Sequence, residues 1–115
     1  MTYHRGDVVL LLFPDSNLRT AKRRPALVIQ ADNLGTGLLQ AVVAMITSNM
    51  TRAAHRSRVV VQIGTEAAGV SGLLTDSVIM TDNLATVHYS EMDRRIGVFS
   101  TMQEVDSALR STLAL

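Results

Sequence analysis

The chain has 115 residues, 47% of them hydrophobic, a formal net charge of +1 and no cysteine. That length suits one compact domain, 1–115, with a real core, and the lack of thiols excludes disulfides and thiolate metal sites. The start, Met1-Thr2-Tyr3-His4-Arg5, has no signal-peptide stretch, and no apolar run approaches the ~20 residues that span a bilayer, so a cytoplasmic protein off the membrane is expected. The distribution of charge says more than its total. Positions 1–60 carry eight Lys or Arg against three Asp, a net of +5; positions 61–115 carry three against seven, a net of −4. This predicts either a basic face for a polyanion or an asymmetry with no spatial counterpart.

In chain order, Val8 to Phe13 is an apolar run after Arg5-Gly6-Asp7, stopped by Pro14-Asp15, and reads as a buried strand. Ser16 to Arg24 is polar and predicts a loop. Pro25 to Gln30 predicts a second strand: proline lacks a backbone donor and pushes Arg24 toward an extended conformation at the strand's edge. Asp32 to Gly37 is rich in turn formers, and Leu38 to Thr47 predicts a third strand. A polar loop, Ser48 to Ser57, carries Arg52, His55 and Arg56. Arg58 to Ile63 predicts a fourth strand, Gly64 to Gly72 a turn of small residues, Thr75 to Met80 a fifth strand and Leu84 to Val87 a short sixth element.

Ser90 to Asp93 predicts one helical turn, ended by Gly97, with Ile96 to Phe99 returning to the sheet. Thr101-Met102-Gln103-Glu104 matches a capping box, and Met102, Val105, Leu109 and Leu113 follow at helical spacing with Ala108 on their flank. Many short strands and one terminal amphipathic helix make the chain mainly β and predict a small barrel. The first strand is apolar on both faces; a small barrel covers one, so the helix or a second subunit must cover the other. A homodimer is expected on that ground.

Taken together, these segments resemble the MazF/PemK family of toxin endoribonucleases over nearly the whole chain. Arg5-Gly6-Asp7-Val8 resembles the family's opening strand, and Arg24-Pro25-Ala26-Leu27-Val28-Ile29-Gln30 its "RPxLVIQ" strand. Ile46-Thr47-Ser48-Asn49 stands at its strand-ending "ITS/TT" segment. Asp76-Ser77-Val78-Ile79 and Asp82-Asn83-Leu84-Ala85-Thr86-Val87 resemble its "DSVI…DQxRTI" block, and Gly97 with Met102 to Leu113 its closing helix. The resemblance implies an SH3-like or CcdB-like β-barrel with a C-terminal helix, working as a homodimer. It implies metal-independent, sequence-selective cleavage of single-stranded RNA to a 2′,3′-cyclic phosphate and a 5′-hydroxyl, without a cofactor. It implies a cognate antitoxin that occludes the RNA groove.

RNA carries its own nucleophile, the 2′-hydroxyl, so an enzyme must orient it, stabilise charge on the phosphorane and manage protons. Arg24 matches the family's catalytic arginine. Its guanidinium offers two parallel donors to phosphate oxygens and stays protonated, which suits charge stabilisation rather than general base work. Thr47 matches the catalytic threonine, whose hydroxyl donates to phosphate or positions the 2′-hydroxyl. Ser48 and Asn49 follow as candidate phosphate or base contacts. Arg19, Lys22, Arg23, Arg52 and Arg56 are expected to attract phosphate nonspecifically, or to form a solvated face.

Asp82 matches a carboxylate that some members use as a base, with an arginine two positions earlier; here that position is Met80, and Asp82-Asn83 also reads as a turn pair. Phe13 matches an aromatic near the RNA groove and stacks a base or belongs to the core. Family members often carry an acidic residue before that aromatic, where this chain has Leu12. Many carry "GSEQ" or "GHEQ" before the arginine, where it has Ser16 to Ala21, so substrate preference does not carry over. His4, His55 and His88 have no metal-ligand spacing, and no metal site is expected. The alternatives are a gyrase-binding toxin of the CcdB kind without ribonuclease activity, and an inactive member that only binds antitoxin. The ending Ser111 to Leu115 does not resemble the CcdB kind.

Overall fold

The computed structural model describes residues 2–14 and 21–115, and the side chains of all of these except Phe13, Pro14 and Ala21. Runs of apolar, largely β-branched residues build β1 (Asp7–Pro14), β3 (Gln40–Thr47) and β4 (Arg58–Val61), and β2 (Ala21–Val28) lies between β1 and β3. A short helix α1 (Glu66–Ser71) follows, then β5 (Ser77–His88), a single 3₁₀ turn (Tyr89–Glu91), β6 (Met92–Val98) and helix α2 (Met102–Leu113). The strands form one antiparallel sheet in the order β4-β5-β3-β2-β1-β6.

The mainly β fold with a closing helix agrees with the sequence. The barrel does not close: β4 and β6 are the two edges of the sheet and are not paired. The space between them is filled by packing instead of a hydrogen-bond ladder. Helix α1, which follows β4, packs on β6, and Ala68 joins Val59 and Val61 of β4, Val8 of β1 and Phe99 in one core cluster. Helix α2 lies on β4 and β5 and adds Val105 and Ala108 to that cluster. The opposite face of the sheet buries Val9, Leu11, Ala26, Val28, Val43, Met45 and Met92. Val8, Val9 and Leu11 of β1 are at most 1% exposed within one chain, whereas Leu12, on the same face as Val8, is 39% exposed.

Four elements differ from expectation. β2 begins at Ala21, so Ala21 to Arg24 are strand, held by pairing with β1 through Pro14↔Ala21 and Leu11↔Arg24. Gly64 to Gly72 contains α1: the Thr65 hydroxyl accepts from the Ala68 N–H at 3.3 Å, and Gly72 closes the helix at φ 77°. The fifth and sixth elements are one strand, because Ala44↔Leu84 and Met45↔Met80 are consecutive pairs and residues 81–83 bulge between them. Gly97 lies inside β6 and ends no helix. A side chain there would overlap the carbonyl oxygen of Val70, so glycine lets α1 rest directly on the strand.

Helix α2 occupies the predicted span, but the Thr101 side chain does not cap it. The Thr101 hydroxyl makes no cap bond to the helix backbone and instead donates to Glu104 Oε2 at 3.3 Å. Val105 and Ala108 are its buried residues, whereas Leu113 is half exposed at the end. No helix among the described residues is long and apolar enough to cross a membrane.

Candidate active site

The site forms where two strands part. β2 and β3 pair through Val28↔Val43, Leu27↔Ala44 and Ala26↔Met45, and there the ladder stops. The next residue of β2 is Pro25, which has no N–H to give. β2 nevertheless runs on to Ala21 because its other edge is paired with β1. The two strands thus splay, and continuing the register one residue at a time sets Pro25 against Ile46 and Arg24 against Thr47.

A cleft of about 760 Å³ opens in that splay. Arg23, Arg24 and Pro25 of β2, Met45 to Thr47 of β3, and Ser48 line one side. Gly72 to Thr75, after α1, line another, with Met80, Asn83 and Ala85 of β5 and Arg94 and Ile96 of β6. Among the described residues, no aspartate or glutamate lines the cleft. Arg24 is exposed and makes no ion pair among the described residues, whereas Arg23 Nε meets Asp93 Oδ2 at 2.8 Å. With no ion pair among the described residues, Arg24 can offer its two parallel donors to an anion.

The Thr47 hydroxyl accepts a hydrogen bond from the Asn49 N–H at 3.1 Å. That contact fixes the oxygen and leaves its proton free to donate. Asn49 Oδ1 in turn accepts from the N–H and hydroxyl of Thr51 at 3.0 and 2.6 Å, which shapes the loop after β3. Thr47 and Met80 also line a second, smaller cleft of about 380 Å³, with Asn49, Thr51, Arg52 and Arg58. The two clefts meet along these shared residues.

Asp82 stands apart. It lines neither cleft. Its Oδ1 is 2.9 Å from Arg58 Nε and its Oδ2 accepts from the Ser57 hydroxyl at 3.1 Å. Burial pushes this carboxyl up, but Ser57 and the Arg58 side chain together hold it below the usual carboxylate range. A carboxylate held that way is a poor base near neutrality. The Asp82-Asn83 pair is realised as a bulge, and its other member, Asn83, is the one that reaches the cleft.

Of the residues expected at the site, Arg24, Thr47, Arg23 and Ser48 come together in the larger cleft, and Asn49 and Arg52 join Thr47 in the smaller. Lys22 is exposed on β2 and lines neither. Arg19 and the Phe13 side chain lie outside the described residues. Sequence reading missed Arg94 and Asn83. No alternation marks β6, whose residues Asp93 to Arg95 are all exposed, and the expectation of a helical turn lay over its start. Among the described residues, no three His, Asp or Glu gather as metal ligands.

Comparison with known proteins now bears on this cleft. The family described as "PemK-like, MazF-like toxin of type II toxin-antitoxin system" matches residues 4–113, and the chain belongs to it. Endoribonuclease MazF2 of Mycobacterium bovis and endoribonuclease MazF6 of Mycobacterium tuberculosis are each 37% identical over 107 residues, 90% of either chain. Among solved structures, a mycobacterial endoribonuclease in complex with its cognate antitoxin has a TM-score of 0.74 at 22% identity, over 99% of this chain and 97% of that one. A MazE–MazF complex from Deinococcus radiodurans has a TM-score of 0.75 at 19% identity, over 100% and 99% of the two chains. At these identities the structural likeness speaks for the fold.

Proposed function

We propose that this chain is the toxin of a type II toxin–antitoxin pair and cuts single-stranded RNA by 2′-hydroxyl attack. The observation that carries the proposal is that Arg24 and Thr47 line one cleft, with no acidic residue among its described lining, in a chain 37% identical to named endoribonucleases. Arg24 holds the negative charge that builds on the phosphorane oxygens. Thr47 donates its hydroxyl proton to the same phosphate, or keeps the 2′-hydroxyl in line. As the 2′-O–P bond forms the P–O5′ bond breaks, and the proton lost by the 2′-hydroxyl is balanced, through solvent, by the one gained by the 5′-oxygen, giving a 2′,3′-cyclic phosphate and a 5′-hydroxyl. Cation and donor both come from the chain, so the reaction needs no metal. Arg23, Ser48, Asn49 and Arg52 bind the strand on either side.

The same reading makes the protein a cytoplasmic homodimer whose cognate antitoxin covers the cleft, in line with relatives solved together with their antitoxins. The test is to incubate the protein with a long single-stranded RNA in EDTA and to map the new ends. Defined cuts bearing cyclic phosphate and 5′-hydroxyl are expected. Absence of cuts at any protein concentration overturns the reading in favour of an inactive or a gyrase-binding toxin, which a supercoiling assay separates.

A further inference from the structure

The larger cleft holds an arginine with no part in the chemistry above. Arg94 lies on β6 opposite Leu10 of β1, and Leu10 lies opposite Pro25 of β2. In the order β3-β2-β1-β6, Arg94 is three strands from Thr47 and two from Arg24. Its side chain is exposed and lines the cleft with Arg23 and Arg24. The charges around it are already engaged: Asp93 holds Arg23, and Asp7 is 3.4 Å from Arg95. No acidic side chain pairs with Arg94 among the described residues, and none lines the cleft. With Arg23 held by Asp93, Arg24 and Arg94 are the two arginines of the cleft that make no ion pair among the described residues, and an anion between them is favoured by both.

We infer that Arg94 holds a second backbone phosphate of the RNA, flanking the one that is cut, and acts in binding rather than in bond breaking. The distance from Thr47 separates the two roles. A strand crossing the cleft meets Thr47 and Arg24 at the scissile phosphate and Arg94 at a neighbouring one. The inference rests on the ribonuclease reading above.

The test combines two measurements on the full chain and on R94Q and R94K. Binding is read by fluorescence anisotropy over a range of salt, using an RNA with a 2′-deoxy residue at the mapped cut site, which cannot be cleaved. Cleavage is read as kcat and KM on the all-ribose strand. Arg94→Gln is expected to weaken binding about tenfold, the weight of one charged hydrogen bond. The slope of log affinity against log salt is expected to fall by about 0.7, one phosphate on a single strand. KM rises, kcat stays within twofold, and Arg94→Lys recovers the salt slope. A variant that binds with unchanged affinity and slope while the wild type cuts RNA overturns this inference alone, as does a loss confined to kcat. A wild-type protein that neither binds nor cuts RNA overturns the ribonuclease reading and this inference with it.

Discussion

Arg24 and Thr47 border the same cleft, each two residues beyond the last paired position of β2 and β3, Ala26↔Met45. Had the ladder continued, their side chains would stand side by side on a closed sheet. Because it stops at Pro25, the same pair borders a cleft. A proline in the middle of a strand is therefore part of the site's construction.

Replacing Pro25 tests that construction. Pro25→Val supplies the missing N–H and a good strand former. The β2–β3 ladder is then expected to extend toward Arg24 and narrow the cleft. Cleavage is expected to fall severalfold while thermal stability holds or rises. A variant with wild-type rates would show that the splay has another cause.

Asp82 is expected to serve the fold and not the reaction. Its carboxyl is held below the usual range in the folded chain, so it contributes stability that is present above the unfolded value of 3.8 and lost as pH falls through the folded value. Asp82→Asn leaves Arg58, whose side chain is only 15% exposed, without its ion partner. Since Asp82 itself is 39% exposed, solvent screens the pair and the loss at pH 7 is expected to be on the order of 1 kcal/mol. The gap between the two melting temperatures should close below about pH 4. RNA cleavage at pH 7 should change little. A large loss of kcat in a folded Asp82→Asn would restore the carboxylate to the chemistry.

Gly97→Ala addresses the packing of α1 on β6. Its new Cβ would overlap backbone atoms of Val70 and Ser71, which cannot rotate away. A loss of about 1–3 kcal/mol in a urea titration is expected, the usual range for overpacking. Because Gly72 to Thr75 follow α1 and form one wall of the cleft, activity is expected to fall as well. Unchanged stability would mean that α1 shifts freely.

Which features were legible in the sequence follows from what sets them. The β1 and β3 segments are apolar runs bounded by turn formers and α2 carries a helical period, so their spans are written in local pattern. Arg24 and Thr47 were found by their resemblance to the family, and their places beside one cleft follow from where the β2–β3 pairing stops, at Ala26↔Met45. Features set by partners were hidden. Ala21 to Arg24 are strand only because β1 pairs with them, and no local pattern marks them. The bulge at residues 81–83 looked like a break, since sequence does not say that Met80 and Leu84 meet adjacent residues of β3. Gly97 read as a helix end because its purpose, close contact with α1, is a tertiary one. Helix α1 had both of its caps in view, Thr65 and Gly72, but six residues are too few to show a helical period.

The central claim is that Arg24 and Thr47 act together on one phosphate. It is tested most directly by single-turnover cleavage of a short RNA containing the mapped site, comparing Arg24→Ala, Thr47→Ala and the double variant, each folded by circular dichroism. The account predicts that Arg24→Ala lowers the rate on the order of 10²–10³, and that the double variant is little slower than the worse single one. Losses that multiply as if the two sites were independent, or wild-type cleavage by Arg24→Ala, would contradict it.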